Sequence, residues 1–129
     1  MRFVIEGDPR TKKNHTQIRY RTIPGTKDKR PFVAQNDEYK VYEEASIWQI
    51  PPVFKVDVDI PVNVRCVYYM KTRRRVDLVN LLEATCDILV RANVLKDDCA
   101  DIVVGHDGSR VLYDKKNPRV EIEITKAVV

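Results

Sequence analysis

The chain has 129 residues, with 23 Lys and Arg against 19 Asp and Glu and a net charge of +4. That length is one domain, residues 1–129, able to bury a core without disulfide or metal staples, and the basic surplus favours a polyanionic partner. The three cysteines, Cys66, Cys86 and Cys99, are odd in number and lack CxxC spacing, which excludes a disulfide framework or a zinc ribbon and fits a reducing cytoplasm. No apolar run reaches membrane-spanning length and MRFVIEGDPR has no signal-peptide core, so a soluble cytoplasmic protein is expected.

In chain order, Arg2 to Glu6 reads as a first strand closed by the turn GDP. Arg10 to Arg30 is basic and poor in apolar residues, with Lys12, Lys13, Asn14 and His15 followed by Arg19, Tyr20, Arg21 and the run KDKR. An exposed loop or irregular hairpin is expected there, either solvated or in contact with phosphates. Phe32 to Ala34 reads as a short strand, and Asn36 or Asp37 as the N-cap of a helix through about Ile47, stopped by Pro51 and Pro52. From Phe54 to Met70 every even position is apolar, and Pro61 places the cleaner strand at Val62 to Met70.

Next comes Lys71 to Asp98, KTRRRVDLVNLLEATCDILVRANVLKDD. On an ideal helix, Leu78, Leu81, Leu82, Thr85, Ile88, Leu89 and Ala92 fall in one stripe suited to packing on a sheet. Asn80, Glu83 and Asp87 fall off it, with Asp77 at its edge. The helix should be capped near Asp77 and stop at Asn93. Beyond it, Ile102 to Val104 and Arg110 to Tyr113 read as strands around HDGS, and Arg119 to Thr125 as the last strand. The expected fold is α/β (α+β), a mixed β-sheet packed by two main helices.

Metal-assisted phosphodiester cleavage needs carboxylates converging on Mg²⁺, which activates water and stabilises charge on the attacking and leaving oxygens. Asp77 and Asp98 are 21 residues apart, and a return loop either brings them together or separates them. Taken alone, Asp77 reads first as an ordinary N-cap and Lys96 to Asp98 as a charged turn, while Arg73 to Arg75 reads equally as a solvated connection. His106 reads as a turn residue, and Trp48, Tyr39 and Tyr42 as core or interface aromatics. No nucleotide-binding glycine motif or nucleophile elbow is present.

The order of residues from the basic RRR, through D-x-x-N-L at Asp77, Asn80 and Leu81, to Asp87 and the pair Asp97 and Asp98 resembles the RusA family of Holliday junction resolvases. The resemblance implies a homodimeric nuclease, often phage- or prophage-encoded, that binds four-way DNA junctions. It would nick two strands symmetrically using Mg²⁺, for which Mn²⁺ substitutes. On that reading Asp77 and Asp98 are metal ligands, Asn80, Asp87 and Asp97 support them, and Lys12, Lys13, Asn14, Lys71, Arg73, Arg74 and Arg75 meet DNA. The family pattern is typically D-x-D-N-L-x-K, whereas this chain has Val79 at the second aspartate and Glu83 at the lysine. Residues i and i+4 are neighbours on a helix, about 5 to 6 Å apart at Cβ, so Glu83 is expected to return a third carboxylate near position 79. The alternative is a catalytically silent junction-binding or regulatory module on the same fold.

Overall fold

The computed structural model describes residues 1–12, 17–34 and 37–128. The main sheet joins β1 (Arg2–Glu6), β4 (Val62–Met70), β5 (Val103–Gly105), β6 (Arg110–Tyr113) and β7 (Arg119–Lys126), with β7 antiparallel between β1 and β4. On the far edge of β4, β5 pairs with its first residues and β6 with its last, both parallel, so the sheet is mixed as expected. Between the two registers, side chains replace ladder bonds. His106 Nδ1 lies 2.8 Å from the Val64 carbonyl oxygen, and the Ser109 hydroxyl accepts from the Cys66 amide at 3.0 Å.

Alternation places Phe3, Ile5, Val64, Cys66, Tyr68, Met70, Val120 and Ile122 on one face of this sheet, all buried. Against it packs α2 (Leu78–Arg91), whose Leu81, Leu82, Thr85, Ile88 and Leu89 are buried as its periodicity predicts. The opposite sheet face is charged. There Arg119 pairs with Glu121 and Asp114 and lays its guanidinium 3.8 Å from the Tyr69 ring centroid, so of the two adjacent tyrosines only Tyr68 enters the core.

α1 (Asp37–Gln49) runs slightly past its expected end, and Pro52 then opens a single 3-10 turn, Pro52–Phe54. Gln49 accepts from the Glu6 amide at 2.7 Å and donates to the Glu6 carbonyl at 3.0 Å, holding α1 to the edge strand β1. Tyr39, Glu43, Ser46 and Ile50 form the buried side of this region, while Trp48 is 88% exposed. The tryptophan is therefore not a core residue. The stripe that faces inward is largely polar, which hides it from a hydrophobic reading.

The basic stretch contains a regular hairpin, β2 (Gln17–Thr22) paired with β3 (Lys29–Ala34), as a separate two-stranded sheet. Its tip is closed by the Ile23 amide donating to the Asp28 carbonyl at 2.8 Å and the Thr26 amide to the Ile23 carbonyl at 3.1 Å. Gly25 sits there at φ 80°, a left-handed conformation that glycine adopts without strain.

Candidate functional site

α2 begins at Asp77, whose backbone has the extended geometry of an N-cap. Its carboxylate does not cap the helix. It accepts instead from the Asn80 side-chain amide, with Nδ2 at 3.4 Å, so the capping expectation holds for the backbone position and fails for the side chain. At the other end, Asn93 adopts φ 61°, which asparagine tolerates, and the Val94 amide turns back to the Leu89 carbonyl at 2.9 Å.

The direction of the chain after α2 is set by backbone pairing. The Val58 amide donates to Val94 at 2.9 Å, the Lys96 amide to Val58 at 3.0 Å, and Val94 and Leu95 are fully buried. The pair Asp97 and Asp98 then follows, with the Asp98 amide donating to Asp97 Oδ1 at 2.8 Å.

This path brings Asp98 back to the helix. A groove of about 300 Å³ is lined by Val79, Leu82, Glu83 and Cys86 of α2, by Asp98, and by Val103 and His106. Position 79, Glu83 and Asp98 thus share one concavity. Asp77 is not among its lining residues and stands two residues earlier, at the start of the helix. A larger depression of about 500 Å³ beside α1 is walled by charges that pair with each other, Arg10 with Asp8 and with Glu38.

The groove is electrostatically acidic. Partial desolvation, then the hydrogen bond with Asp97 and the charges of Asp87 and Asp97, raise the Asp98 carboxyl above its ordinary value. Burial, followed by neighbouring Cys66, Asp98 and Asp87, pushes the Cys86 thiol up to about 12 and keeps it protonated at neutral pH. Asp87 itself is paired with Lys12 at 2.8 Å.

Among the described residues no three His, Cys, Asp or Glu side chains converge closely enough to form a complete metal cage. The donors present still fit Mg²⁺, which keeps several waters and is usually bound through one or two carboxylates together with substrate phosphate. Glu83 and Asp98 are hard oxygen donors on one concave wall, and the mutual repulsion of carboxylates around Asp98 is what a cation there relieves.

The basic run divides by function of position. Arg74 is half-buried, donating to Asp8 at 2.7 Å and to the Pro9 carbonyl, while the Lys71 amide holds the second Asp8 oxygen at 3.0 Å. Arg73 lies 4.1 Å from the Tyr113 ring centroid, and the Lys71 and Arg75 side chains face solvent. Lys13 and Asn14 lie outside the described residues. His106, read from sequence as a turn residue, does close a turn through Ser109, yet its ring also lines the groove. Its Nδ1 faces a carbonyl and so carries the proton. The sequence holds no mark of this, because its partner is backbone on a distant strand.

Glu83 and Asp98 share a groove of a small mixed-sheet domain whose chain carries a surplus of Lys and Arg, a charge balance suited to a polyanionic partner. A family profile described as endodeoxyribonuclease RusA matches residues 6–125, nearly the whole chain. The chain belongs to this family of endonucleases, which act on branched DNA and resolve Holliday junctions. Curated proteins give no match to it.

Proposed function

We propose that the protein resolves four-way DNA junctions by paired, Mg²⁺-dependent phosphodiester hydrolysis, with Mn²⁺ able to substitute. Asp77, Glu83 and Asp98 are its catalytic carboxylates and metal ligands, and Asn80, Asp87 and Asp97 support them. The single observation that carries this reading is the groove shared by position 79, Glu83 and Asp98, because it sets a glutamate beside the place where the family pattern has its second aspartate. A divalent ion bound there supplies activated water and charge stabilisation at the attacking and leaving oxygens.

The chain's own residues do the rest. Asn80 holds the Asp77 carboxylate away from the helix amides and available as a ligand. Lys12, Lys13, Asn14, Lys71, Arg73 and Arg75 contact DNA, and Arg74 serves that surface indirectly, through its hold on the Asp8–Pro9 turn. Symmetric nicking calls for two equivalent sites, hence a homodimer matched to the near two-fold junction. A cytoplasmic location and a phage or prophage origin complete the proposal. No described helix is long and apolar enough to cross a membrane.

The second reading is a catalytically silent junction-binding module. It draws on Val79 in place of a carboxylate and on the lack, among the described residues, of a three-residue cage. A synthetic four-way junction incubated with Mg²⁺ and with EDTA separates the two. Cleavage lost in EDTA is expected, and Glu83→Gln should lower its rate by about a hundredfold. Binding without cleavage would establish the silent module, and undiminished cleavage by Glu83→Gln would remove Glu83 from the ligand set.

A further inference from the structure

Lys12 leaves a stretch of backbone that is clamped. Asp8 takes the Lys71 amide and the Arg74 guanidinium, Arg74 also holds the Pro9 carbonyl, and Thr11 is buried. From there the Lys12 ammonium reaches 2.8 Å from Asp87 Oδ2 and 5.6 Å from the Tyr39 ring centroid. Asp87 is one helical turn beyond Glu83 and adjacent to Cys86, and both of those residues line the groove with Asp98. The ammonium therefore stands at the rim of the acidic concavity. Among the described cations, Lys96 pairs with Asp59 at 3.1 Å, Arg74 with Asp8 and Arg91 with Glu43.

The Lys12–Asp87 pair is also open to exchange. Its side chains are 36% and 31% exposed, so solvent screens the attraction and a phosphate oxygen competes for the same donor. Building on the nuclease reading above, we propose that Lys12 is a catalytic residue whose ammonium passes from Asp87 to a non-bridging oxygen of the phosphate being cut. It remains protonated throughout. There it stabilises the negative charge that grows on that phosphate in the transition state, and the carboxylate it leaves behind adds to the negative field around Asp98 that holds a cation. The influence of Asp87 on both Asp98 and Cys86 is consistent with the rim position.

The test compares the full-length protein with Lys12→Gln, Lys12→Arg and the double variant Lys12→Gln/Asp87→Asn. Each is assayed for Mg²⁺-dependent junction cleavage, for metal-free junction binding as a function of salt, and for thermal stability. Lys12→Gln should lower kcat by about a hundredfold with much less change in KM, and Lys12→Arg should recover most of that loss. In the metal-free complex, Lys12→Gln should reduce the slope of log Kd against log salt by about 0.9, the release of one counterion. The double variant should stay as slow as Lys12→Gln. Recovery of cleavage in the double variant would mean that Lys12 only neutralises Asp87, and the proposal would fall. An unchanged salt slope in Lys12→Gln overturns it even if the parent protein does not cut. A parent that cuts alongside an equally active Lys12→Gln overturns this proposal alone, whereas a parent that binds and never cuts overturns the nuclease reading.

Discussion

At the scale of single residues, the groove is governed by what stands at positions 79 and 98. Val79 is 71% exposed, an apolar side chain that lines the groove with Leu82, Cys86 and Val103 as well as with Glu83 and Asp98. Val79→Asp should leave stability within about 0.5 kcal/mol, because little burial is lost at an exposed site. It should also tighten Mn²⁺ binding severalfold in a calorimetric titration, and equal affinity in both proteins would show that position 79 does not face the ion. Asp98 gives a second prediction through its raised carboxyl pKa. The folded state holds that proton more tightly than the unfolded chain, so stability is lost as pH rises through the interval above 3.8, the ordinary value. Without divalent ion, Asp98→Asn should therefore melt above the parent at neutral pH, the gap closing below about pH 4. Saturating Mg²⁺ should reverse the order at neutral pH, and a variant less stable than the metal-free parent at neutral pH would contradict the cost of holding a charged Asp98 partly desolvated beside Asp97 and Asp87.

At the scale of elements, α2 is held to the sheet by apolar burial and by one buried polar link. Tyr68 of β4 and Thr85 of α2 are 2.7 Å apart, and the Thr85 hydroxyl already donates to the Leu81 carbonyl at 2.9 Å, which makes Tyr68 the donor. Tyr68→Phe should cost about 1 kcal/mol in a denaturant melt, and no loss would mean that the pair only fills space. Elements with clean periodicity were legible in the sequence for the same reason that they are stable. Val62–Met70 alternates across a half-buried sheet, and the α2 stripe repeats at helical spacing. The β2–β3 hairpin was only half legible, because Arg21 pairs with Arg30 and Tyr20 with Pro31, combinations that suggest a solvated loop rather than a ladder. Within the site, the helix contributed its carboxylates openly. The return of Asp98 to Glu83 depends on the Val58–Leu95 bridge, a backbone contact between segments with no shared pattern, so spacing alone left two directions open.

At the scale of the whole molecule, the question is how a chain of net charge +4 presents an acidic groove and still attracts DNA. The cations are divided between structure and surface. Arg74, Arg119 and Arg91 are tied to carboxylates, while Lys71, Arg75, Lys27, Lys29 and Arg30 are exposed around the helix start and on the hairpin. Long-range attraction should come from the second group, since a cation already neutralised by a carboxylate contributes little field beyond its partner. Neighbouring arginines in the same run separate these roles. Arg75 has no ion-pair partner among the described residues and is exposed, so Arg75→Gln should leave the melt within about 0.5 kcal/mol of the parent and reduce the salt slope of junction binding by about 0.9. Arg74→Gln should do the reverse at the level of the fold, costing about 2 kcal/mol because Asp8 loses its closest charged donor and the Pro9 carbonyl loses its bond. That loss would loosen the turn leading to Lys12, so cleavage should fall in Arg74→Gln more than binding does. If Arg75→Gln destabilises the protein while Arg74→Gln changes only the salt slope, the division between structural and DNA-facing cations is wrong, and the clamp on the Lys12 segment with it.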